Sequence, residues 1–328
     1  MASQTRRRID PFAFDTYLRV RAESDRAALL GLGRPRTSRQ FPINHLGMSG
    51  PAPTVGDVVR RTAERLDADG VITARIDAEL LVAHVLGLSR SDLVVEHRRE
   101  VSRAEQERVA ELAARRAARE PLQYIVGEWG FRRLTLIVDD RALIPRPETE
   151  TVVERCLELL CDADAPLVLD VGTGSGAIAL SIADEHPGAR VTGIDVSDEA
   201  LSLARENAAR TGLAVDFVRH DLLDGLPGAD WDLVVSNPPY VRPEEAPGLA
   251  PEVVDWEPHV ALFGGGHTET LVRAAADALA PGGALVLESY DERARAVAEL
   301  LEHSGFTKIL VTKDLAGRDR VVEGRRPA

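Results

Sequence analysis

The stretch that decides the fold is residues 168–183, which read VLDVGTGSGAIALSIA. A short apolar run leads into a glycine-rich turn, and a segment of helical character follows it. The turn consists of five small residues, Gly172, Thr173, Gly174, Ser175 and Gly176. Strand, glycine-rich turn and helix begin a nucleotide-binding α/β unit, because a backbone without Cβ atoms lets a ligand approach its N–H groups. We call residues 172–176 the glycine loop and predict that they contact a cofactor.

Asp195 follows the next predicted strand, residues 190–194. At this place in an α/β fold, an acidic side chain accepts hydrogen bonds from ribose hydroxyls. Both NAD and S-adenosylmethionine contain ribose, so Asp195 does not separate the two cofactors. With Ala177, the glycine loop also satisfies the dinucleotide pattern G-x-G-x-x-G/A, and an NAD enzyme is therefore an alternative at this point.

Side chains at two further strand ends favour S-adenosylmethionine. Asp170 stands at the end of the first strand, where a carboxylate can face the ammonium or sulfonium charge of the cofactor. Asp221 and Leu222 follow the third predicted strand, residues 214–219. They would place a carboxylate near the adenine amino group and an apolar side chain against the adenine ring. S-adenosylmethionine also requires no site for a pyrophosphate.

The fourth predicted strand, residues 231–236, ends in Asn237-Pro238-Pro239-Tyr240, which we call the amide clamp. The Asn237 carboxamide oxygen and the Pro238 carbonyl can accept the two hydrogens of a planar NH2 group, which directs the nitrogen lone pair. Tyr240 can stack on the flat group. A Pro-Pro turn after a buried strand is the alternative. Ligands bind beyond the carboxyl ends of parallel strands, so one pocket would hold methyl donor and acceptor.

The sequence resembles the protein-glutamine N5-methyltransferases of the HemK/PrmC type, which modify peptide chain release factors. The resemblance runs from about Thr54 to Arg325 and rests on separate motifs. These are LIPRPETE at 143–150, the segment 170–176, the amide clamp, Glu257-Pro258 followed by Ala261-Leu262, and DLAGRDRVV at 314–322. Asn-Pro-Pro-Tyr is shared with amino-methyltransferases that act on nucleic acid, so the flanking motifs supply the narrower assignment.

The resemblance implies the class I S-adenosylmethionine-dependent methyltransferase fold, a doubly wound α/β architecture with a seven-stranded, mostly parallel sheet. It also implies methyl transfer to the side-chain amide nitrogen of the glutamine in the Gly-Gly-Gln motif of class 1 release factors. The amide clamp would bind this acceptor. The residues expected to hold S-adenosylmethionine are those of the glycine loop with Asp195, Asp221, Leu222 and Asn237. Further site candidates are Asp170, Arg146 and Glu148.

The chain is long enough for two domains, each with its own core. Residues 48–120 are predicted to form a helical domain, which by resemblance recognises the protein substrate. Residues 121–140 are predicted to form a hairpin linker, and residues 141–328 the catalytic domain. Residues 1–47 are interpreted as a disordered extension, or as the result of too early a start, with Met48 the better candidate.

The formal net charge of −13 is unevenly divided along the chain. Residues 1–47 contain nine Arg, no Lys and four acidic residues, so this segment carries +5 and the remainder −18. A body this acidic is repelled by phosphate backbones. The charge therefore counts against stable nucleic-acid binding.

Cysteine, histidine and hydropathy patterns are those of an ordinary cytosolic protein. Cys156 and Cys161 lie in a helix-like segment and are interpreted as packing residues in a reducing compartment. The eight histidines show no metal-ligand spacing, so no metal is predicted. No apolar stretch approaches the ~20 residues needed to span a bilayer. We expect a soluble, cytoplasmic monomer that does not bind membranes.

Three other functions are considered. A nucleic-acid adenine N6-methyltransferase would use the same amide clamp, but the acidic body and the compact helical N-terminal segment count against it. A ribosomal-protein glutamine methyltransferase would differ mainly in its N-terminal recognition surface. A cofactor-binding protein that serves only as an interaction module is disfavoured by the intact clamp.

Overall fold

The computed structural model of the chain describes residues 52–328. The predicted extension, residues 1–47, lies outside the described residues. The chain divides into two compact units, with the boundary between Val126 and Gly127. Within the described range, the first unit is helical and the second contains the sheets.

Five helices, α1 to α5, form the described part of the first unit. They span Val55–Ala68, Ala74–Leu86, Arg90–Val95, Arg103–Ala117 and Leu122–Val126. Three of them begin at a capping box, in which a Thr or Ser hydroxyl and an acidic side chain three residues later bond each other's backbone N–H groups. Buried apolar side chains, among them Leu66, Leu81 and Leu112, form the core of this unit.

A buried ion pair joins α2 and α4 in the first unit. Asp77 is fully buried and Arg116 is 5% exposed, and Arg116 Nε donates to Asp77 Oδ2 at 2.7 Å. Replacing Arg116 by an uncharged residue removes a positive charge that stabilises the Asp77 carboxylate in a low-dielectric interior. Arg116→Met is therefore expected to lower the free energy of unfolding by about 3 kcal/mol or more, measured by chemical denaturation.

Arg103→Met is the matched control for this substitution. Arg103 pairs with Glu107 at 2.8 Å on the surface of α4, with an Arg side chain that is 90% exposed. Exposed pairs contribute little, so the midpoint of unfolding should stay where it is. Equal effects of the two substitutions would argue that the buried pair does not stabilise this unit.

The second unit begins with an antiparallel hairpin, β1 (Glu128–Phe131) and β2 (Leu134–Ile137). The hairpin lies inside the segment 121–140, predicted as a hairpin linker, and the structure groups it with the second unit. The first part of that segment is helix α5. Its Leu122 and Ile125 are buried at helical spacing, so packing decides the conformation against the strand propensity of the run.

Strands and helices then alternate to the end of the chain. Strands β3 to β9 span Leu167–Val171, Arg190–Asp195, Asp216–Arg219, Trp231–Ser236, Leu279–Glu288, Thr307–Lys313 and Asp319–Arg325. Helices α6 to α12 span Thr149–Leu160, Ala177–Glu185, Asp198–Thr211, Pro251–Val254, His259–Leu262, His267–Ala278 and Ala294–His303. Short 3-10 turns occupy Leu222–Asp224, Pro243–Gly248 and Asp291–Arg293.

The seven strands β3 to β9 form one sheet in the order β5-β4-β3-β6-β7-β9-β8. Strand β9 is antiparallel to both of its neighbours, and the other pairings are parallel. This confirms the predicted doubly wound, mostly parallel sheet. The chain builds outward from β3 to β5 and then places β6 on the other side of β3. The carboxyl ends of β3 and β6 therefore meet at the switch point, where α/β proteins bind their ligands.

The two faces of the sheet have separate cores. Val168 and Val235 belong to a core with residues of α6, α7 and α8, whereas Leu169 and Val234 belong to a core with residues of α11 and α12. Successive side chains along a strand point to opposite faces of the sheet, so neighbouring residues belong to different cores. Cys156 lies in the first of these cores. Within residues 52–328, no helix combines the length and the apolar character that crossing a bilayer requires.

Candidate active site

A cavity lies beyond the carboxyl ends of β3, β4, β5 and β6, at the switch point of the sheet. Its wall includes the glycine loop, the turns after β4 and β5, and part of the amide clamp. The predicted site residues on the wall are Arg146, Gly172, Thr173, Gly174, Ser175, Asp195, Asp221, Leu222, Asn237, Pro238 and Pro239. The predicted residues that do not line the cavity are Asp170, Glu148, Gly176 and Tyr240.

The glycine loop joins β3 to α7 with a backbone that favours glycine. Gly174 has a φ of +56°, in the left-handed region that L side chains rarely adopt. Its N–H group donates to Asp195 Oδ2 at 2.9 Å. Gly176 caps α7 and supports helix packing, since a Cβ there would lie 3.2 Å from the Phe217 ring.

Asp195 stands at the end of β4 and lines the cavity. Its two carboxylate oxygens accept from Gly174 N and Ser197 N, each at 2.9 Å. Burial raises the pKa of Asp195, and these backbone N–H groups oppose that shift. A carboxylate offers about four acceptor positions, so Asp195 can bind loop backbone and ligand hydroxyls together.

Asp170 lies beneath the glycine loop, away from the cavity wall on which the sequence placed it. The side chain is fully buried, and its Oδ2 accepts from Thr173 Oγ1 at 2.7 Å and from Ala179 N at 3.2 Å. Its Oδ1 has no hydrogen-bond partner within residues 52–328. Burial raises the pKa of Asp170 to about 7. The carboxyl group thus fastens the loop to the start of α7.

Asp221 and Leu222 also line the cavity, shortly after the end of β5. Asp221 Oδ1 accepts from Leu223 N at 2.9 Å and so caps the 3-10 turn that begins at Leu222. Asp221 Oδ2 has no protein partner in the part of the chain that the structure describes. This side of the cavity offers one carboxylate oxygen beside an apolar side chain.

Asn237 follows β6, whose last residue, Ser236, donates from Oγ to the Val171 carbonyl of β3 at 2.7 Å. The Asn237 carboxamide nitrogen, Nδ2, donates to Thr149 Oγ1 at 3.3 Å. Thr149 Oγ1 donates to Glu288 Oε2 at 2.5 Å. Asn237 Oδ1 has no hydrogen-bond partner within the described range. The half-buried side chain therefore presents a spare acceptor at the cavity.

Tyr240 is turned away from the cavity wall. Its hydroxyl donates to Glu288 Oε1 at 3.4 Å, and its backbone carbonyl accepts from Arg293. Its ring centroid lies 6.4 Å from that of Tyr290. Burial and the nearby Glu288 raise the pKa of the Tyr240 hydroxyl, which stays protonated. Stacking of Tyr240 on an acceptor group therefore stays a prediction.

Two ion pairs connect motifs that are far apart in the sequence. Arg146 forms an ion pair with the buried Glu257, whose Oε2 accepts from Ile144 N at 3.3 Å. Glu148 pairs with Arg318 at 2.9 Å. The segment 143–150 is thereby joined to the Glu257-Pro258 motif and to the segment 314–322. Arg146 reaches the cavity wall, whereas Glu148 supports the segment from outside it.

Sequence reasoning missed several residues that shape the site. Thr149 stands in the segment 143–150 that the sequence singled out, but only the fold shows that it meets Glu288. Asn207, fully buried on α8, donates to the carbonyls of Ile137 at 3.1 Å and Ser175 at 3.0 Å and so ties hairpin to loop. His267 lines the cavity at the start of α11.

The wall presents the groups that a nucleoside ligand and a primary amide need. Asp195 and Asp221 offer acceptors for hydroxyl and amino groups, and Leu222 offers an apolar contact for a flat ring. Asn237 Oδ1 offers an acceptor to a planar NH2 group. In the described part of the chain, no group of three or more His, Cys, Asp or Glu side chains is placed to hold a metal ion. The residues fit S-adenosylmethionine beside an amide acceptor.

Comparison with known proteins gives matches to both units. A family model described as PrmC N-terminal domain matches residues 57–127, and one described as Methyltransferase small domain matches residues 154–256. A release factor glutamine methyltransferase of Deinococcus radiodurans is 45% identical over 276 residues, covering 82% of this chain and 98% of that protein. Proteins of the same description from Koribacter versatilis and Bradyrhizobium diazoefficiens are 41% and 42% identical, covering 80% and 81% of this chain and 95% and 93% of theirs.

Proposed function

The chain belongs to the release factor glutamine methyltransferase family, and we propose that it methylates the side-chain amide nitrogen of the glutamine in the Gly-Gly-Gln motif of class 1 release factors. The methyl donor is S-adenosylmethionine. The observation that carries the proposal is Asn237, which lines the donor cavity with a carboxamide oxygen that has no partner within residues 52–328.

The amide clamp would orient a nitrogen that is a weak nucleophile. The lone pair of an amide nitrogen is delocalised into its carbonyl group, so orientation has to make it available. Asn237 Oδ1 would accept one hydrogen of the glutamine NH2 group and the Pro238 carbonyl the other. Holding both hydrogens directs the lone pair at one point in the cavity. Positioning and electrostatics would supply most of the rate.

The donor side of the cavity would be lined by residues at or just after the carboxyl ends of β3, β4 and β5. S-adenosylmethionine, when bound, supplies a methyl group activated by a sulfonium charge. Asp195 would accept from its ribose hydroxyls, and Asp221 from its adenine amino group. Leu222 would pack on the adenine ring, and the glycine loop would approach the ligand with its backbone.

Asp195→Asn is expected to raise the dissociation constant for S-adenosylmethionine about tenfold or more, because a hydrogen bond to a charged group is lost. The new NH2 group would also face one of the backbone N–H groups that now donate to the carboxylate. Isothermal titration calorimetry measures the effect. Asp198→Asn is the control, since Asp198 is exposed and does not line the cavity. Unchanged donor affinity in Asp195→Asn would remove Asp195 from the donor site.

The proposed acceptor is tested by offering the protein labelled S-adenosylmethionine with one acceptor at a time. We expect label on a class 1 release factor, and none on a release factor variant whose Gly-Gly-Gln glutamine is replaced by alanine. Label transferred only to a ribosomal protein would favour the ribosomal alternative. Label transferred only to DNA or RNA would place the acceptor among nucleic acids and overturn the proposal.

The remaining parts of the proposal concern where the protein acts. A class 1 release factor works on the ribosome, so we propose a cytoplasmic site of action. The net charge of −13 disfavours stable binding to nucleic acid or to anionic membranes. We propose that the enzyme acts as a monomer.

A further inference from the structure

Three polar side chains form a row that leads from the protein interior to the cavity. Glu288 ends β7, Thr149 begins α6, and Asn237 follows β6. Glu288 and Thr149 are 3% and 4% exposed, whereas Asn237 is half-buried on the cavity wall. The oxygen atoms of Glu288 and Thr149 lie 2.5 Å apart, and Thr149 Oγ1 lies 3.3 Å from Asn237 Nδ2. We call this row the hydrogen-bond relay.

Counting the protons of the relay determines which end of the Asn237 carboxamide faces the cavity. An ionised carboxylate only accepts hydrogen bonds, so Glu288 takes the single hydroxyl proton of Thr149. Thr149 Oγ1 can then only accept from Asn237. The carboxamide must turn its NH2 group to Thr149, which leaves Oδ1 for the cavity. Without Glu288, either orientation of the carboxamide could satisfy Thr149, since a hydroxyl both donates and accepts.

We infer that Glu288 and Thr149 are positioning residues that hold the Asn237 carboxamide with its oxygen toward the acceptor amide. The inference rests on the proposed function and deepens it. A reversed carboxamide would present an NH2 group to the NH2 group of the substrate, where two donors meet and no hydrogen bond forms. The amide clamp therefore works in only one of the two orientations of the Asn237 carboxamide, and the buried Glu288 carboxylate selects that orientation.

The surroundings of Glu288 make the relay sensitive to pH. The pKa of Glu288 is raised to about 7, mainly by burial and to a smaller extent by the charge of Glu148 at the start of α6. The hydrogen bonds from Thr149 and Tyr240 and the charge of Arg320 on β9 act in the opposite direction. Arg320 is itself paired with Asp314 at 3.3 Å, which reduces its effect on Glu288.

Protonation of Glu288 would allow the Asn237 carboxamide to adopt either orientation. A protonated Glu288 can donate to Thr149 Oγ1, and the Thr149 proton is then free to go to Asn237 Oδ1. The active form contains the carboxylate, so turnover is present above the pKa and is lost as the pH falls through about 7. Asp170 titrates in the same range, but it supports the glycine loop and should act on donor affinity.

The kinetic test compares kcat of wild type and three variants with a release factor as substrate from about pH 6 to about pH 8. The kcat of the wild type should rise through about pH 7. Glu288→Gln should have a kcat about tenfold lower at the upper pH, without this rise. The kcat of Thr149→Val should be low at every pH. The kcat of Thr149→Ser should be about tenfold higher than that of Thr149→Val, because the hydroxyl is restored. KM for the release factor and the donor dissociation constant should change much less.

Two results would overturn the relay. One is a Glu288→Gln variant with the kcat and pH profile of the wild type, and the other is equal turnover of Thr149→Val and Thr149→Ser. Melting temperatures of the variants show whether a loss of activity reflects unfolding.

A second measurement separates failure of the relay from failure of the proposed function. The side-chain NH2 resonances of Asn237 in 15N-labelled protein, assigned by their loss in Asn237→Ala, report its orientation without any acceptor. They should shift with pH around 7 in the wild type and stay constant in Glu288→Gln. Resonances that do not respond to pH in the wild type would contradict the relay even if the release factor is methylated. A pH response without glutamine methylation would leave the relay intact and reject the proposed acceptor.

Discussion

Asn237→Ala is expected to lower kcat by about 10²–10³-fold, the size of effect seen when one preorganised hydrogen-bonding group is removed from an active site. The substitution deletes the only carboxamide oxygen on the described wall of the cavity and leaves the Pro238 carbonyl to hold the acceptor alone. One hydrogen bond does not fix the plane of an NH2 group. The lone pair of the acceptor nitrogen would no longer be directed at the donor.

Single-turnover kinetics with saturating S-adenosylmethionine and release factor measure this effect on the chemical step. The donor dissociation constant should change by less than about threefold, because Asp195, Asp221 and the glycine loop stay in place. A kcat near that of the wild type would show that the amide clamp does not orient the acceptor. A large loss of donor affinity would instead assign Asn237 mainly to the donor.

Gly264→Ala is expected to lower kcat by about 100-fold, although residue 264 has no side chain to take part in chemistry. A Cβ atom at this position would lie 1.9 Å from the Pro239 carbonyl oxygen and 2.7 Å from its carbon. The backbone cannot evade the contact easily, since Gly264 N donates to the Val241 carbonyl and Val241 N donates to the Leu262 carbonyl. The amide clamp would have to move, and a displacement of about 1 Å at a reacting group costs about this much.

Gly265→Ala is the matched control, because it adds the same methyl group one residue away. No atom lies within 4 Å of a Cβ at position 265, and its backbone does not require glycine. Its kcat should stay within about twofold of the wild type, as surface substitutions usually do. Equal losses in both variants would point to general damage of the loop. A fully active Gly264→Ala would show that the amide clamp tolerates displacement.

The sequence predicted the parts of the site that depend on the order of strands. The glycine loop, Asp195, Asp221 and Asn237 each lie at or just after the end of one of four parallel strands, and parallel strands bring their carboxyl ends to one edge. The strand pattern was therefore sufficient to gather these residues. It needed no information about side-chain rotation.

The orientation of individual side chains depends on tertiary contacts and was less predictable. Asp170 lies on β3, and its carboxylate bonds Thr173 and the start of α7, so it is held under the loop and away from the cavity. Tyr240 follows Asn237 closely in sequence, yet its hydroxyl reaches Glu288. Neither position follows from residue type or spacing.

Contacts between segments that are distant in the sequence could not be predicted for the same reason. Thr149 and Glu288 are 139 residues apart, and Arg146 and Glu257 are 111 residues apart. A single sequence gives no signal for such pairs, because each partner alone is an ordinary polar residue near a strand or helix end. The close approach of Gly264 to Pro239 likewise exists only in the folded chain.

The mass of the Gly-Gly-Gln peptide of a class 1 release factor is the most direct test of the central claim. The release factor is incubated with the protein and S-adenosylmethionine, digested, and fragmented in a mass spectrometer. We expect one added methyl group, located by the fragment ions on the glutamine side chain and absent when the Asn237→Ala variant is used. An unmodified glutamine, with the methyl group on another residue of the release factor or on another acceptor, would contradict it.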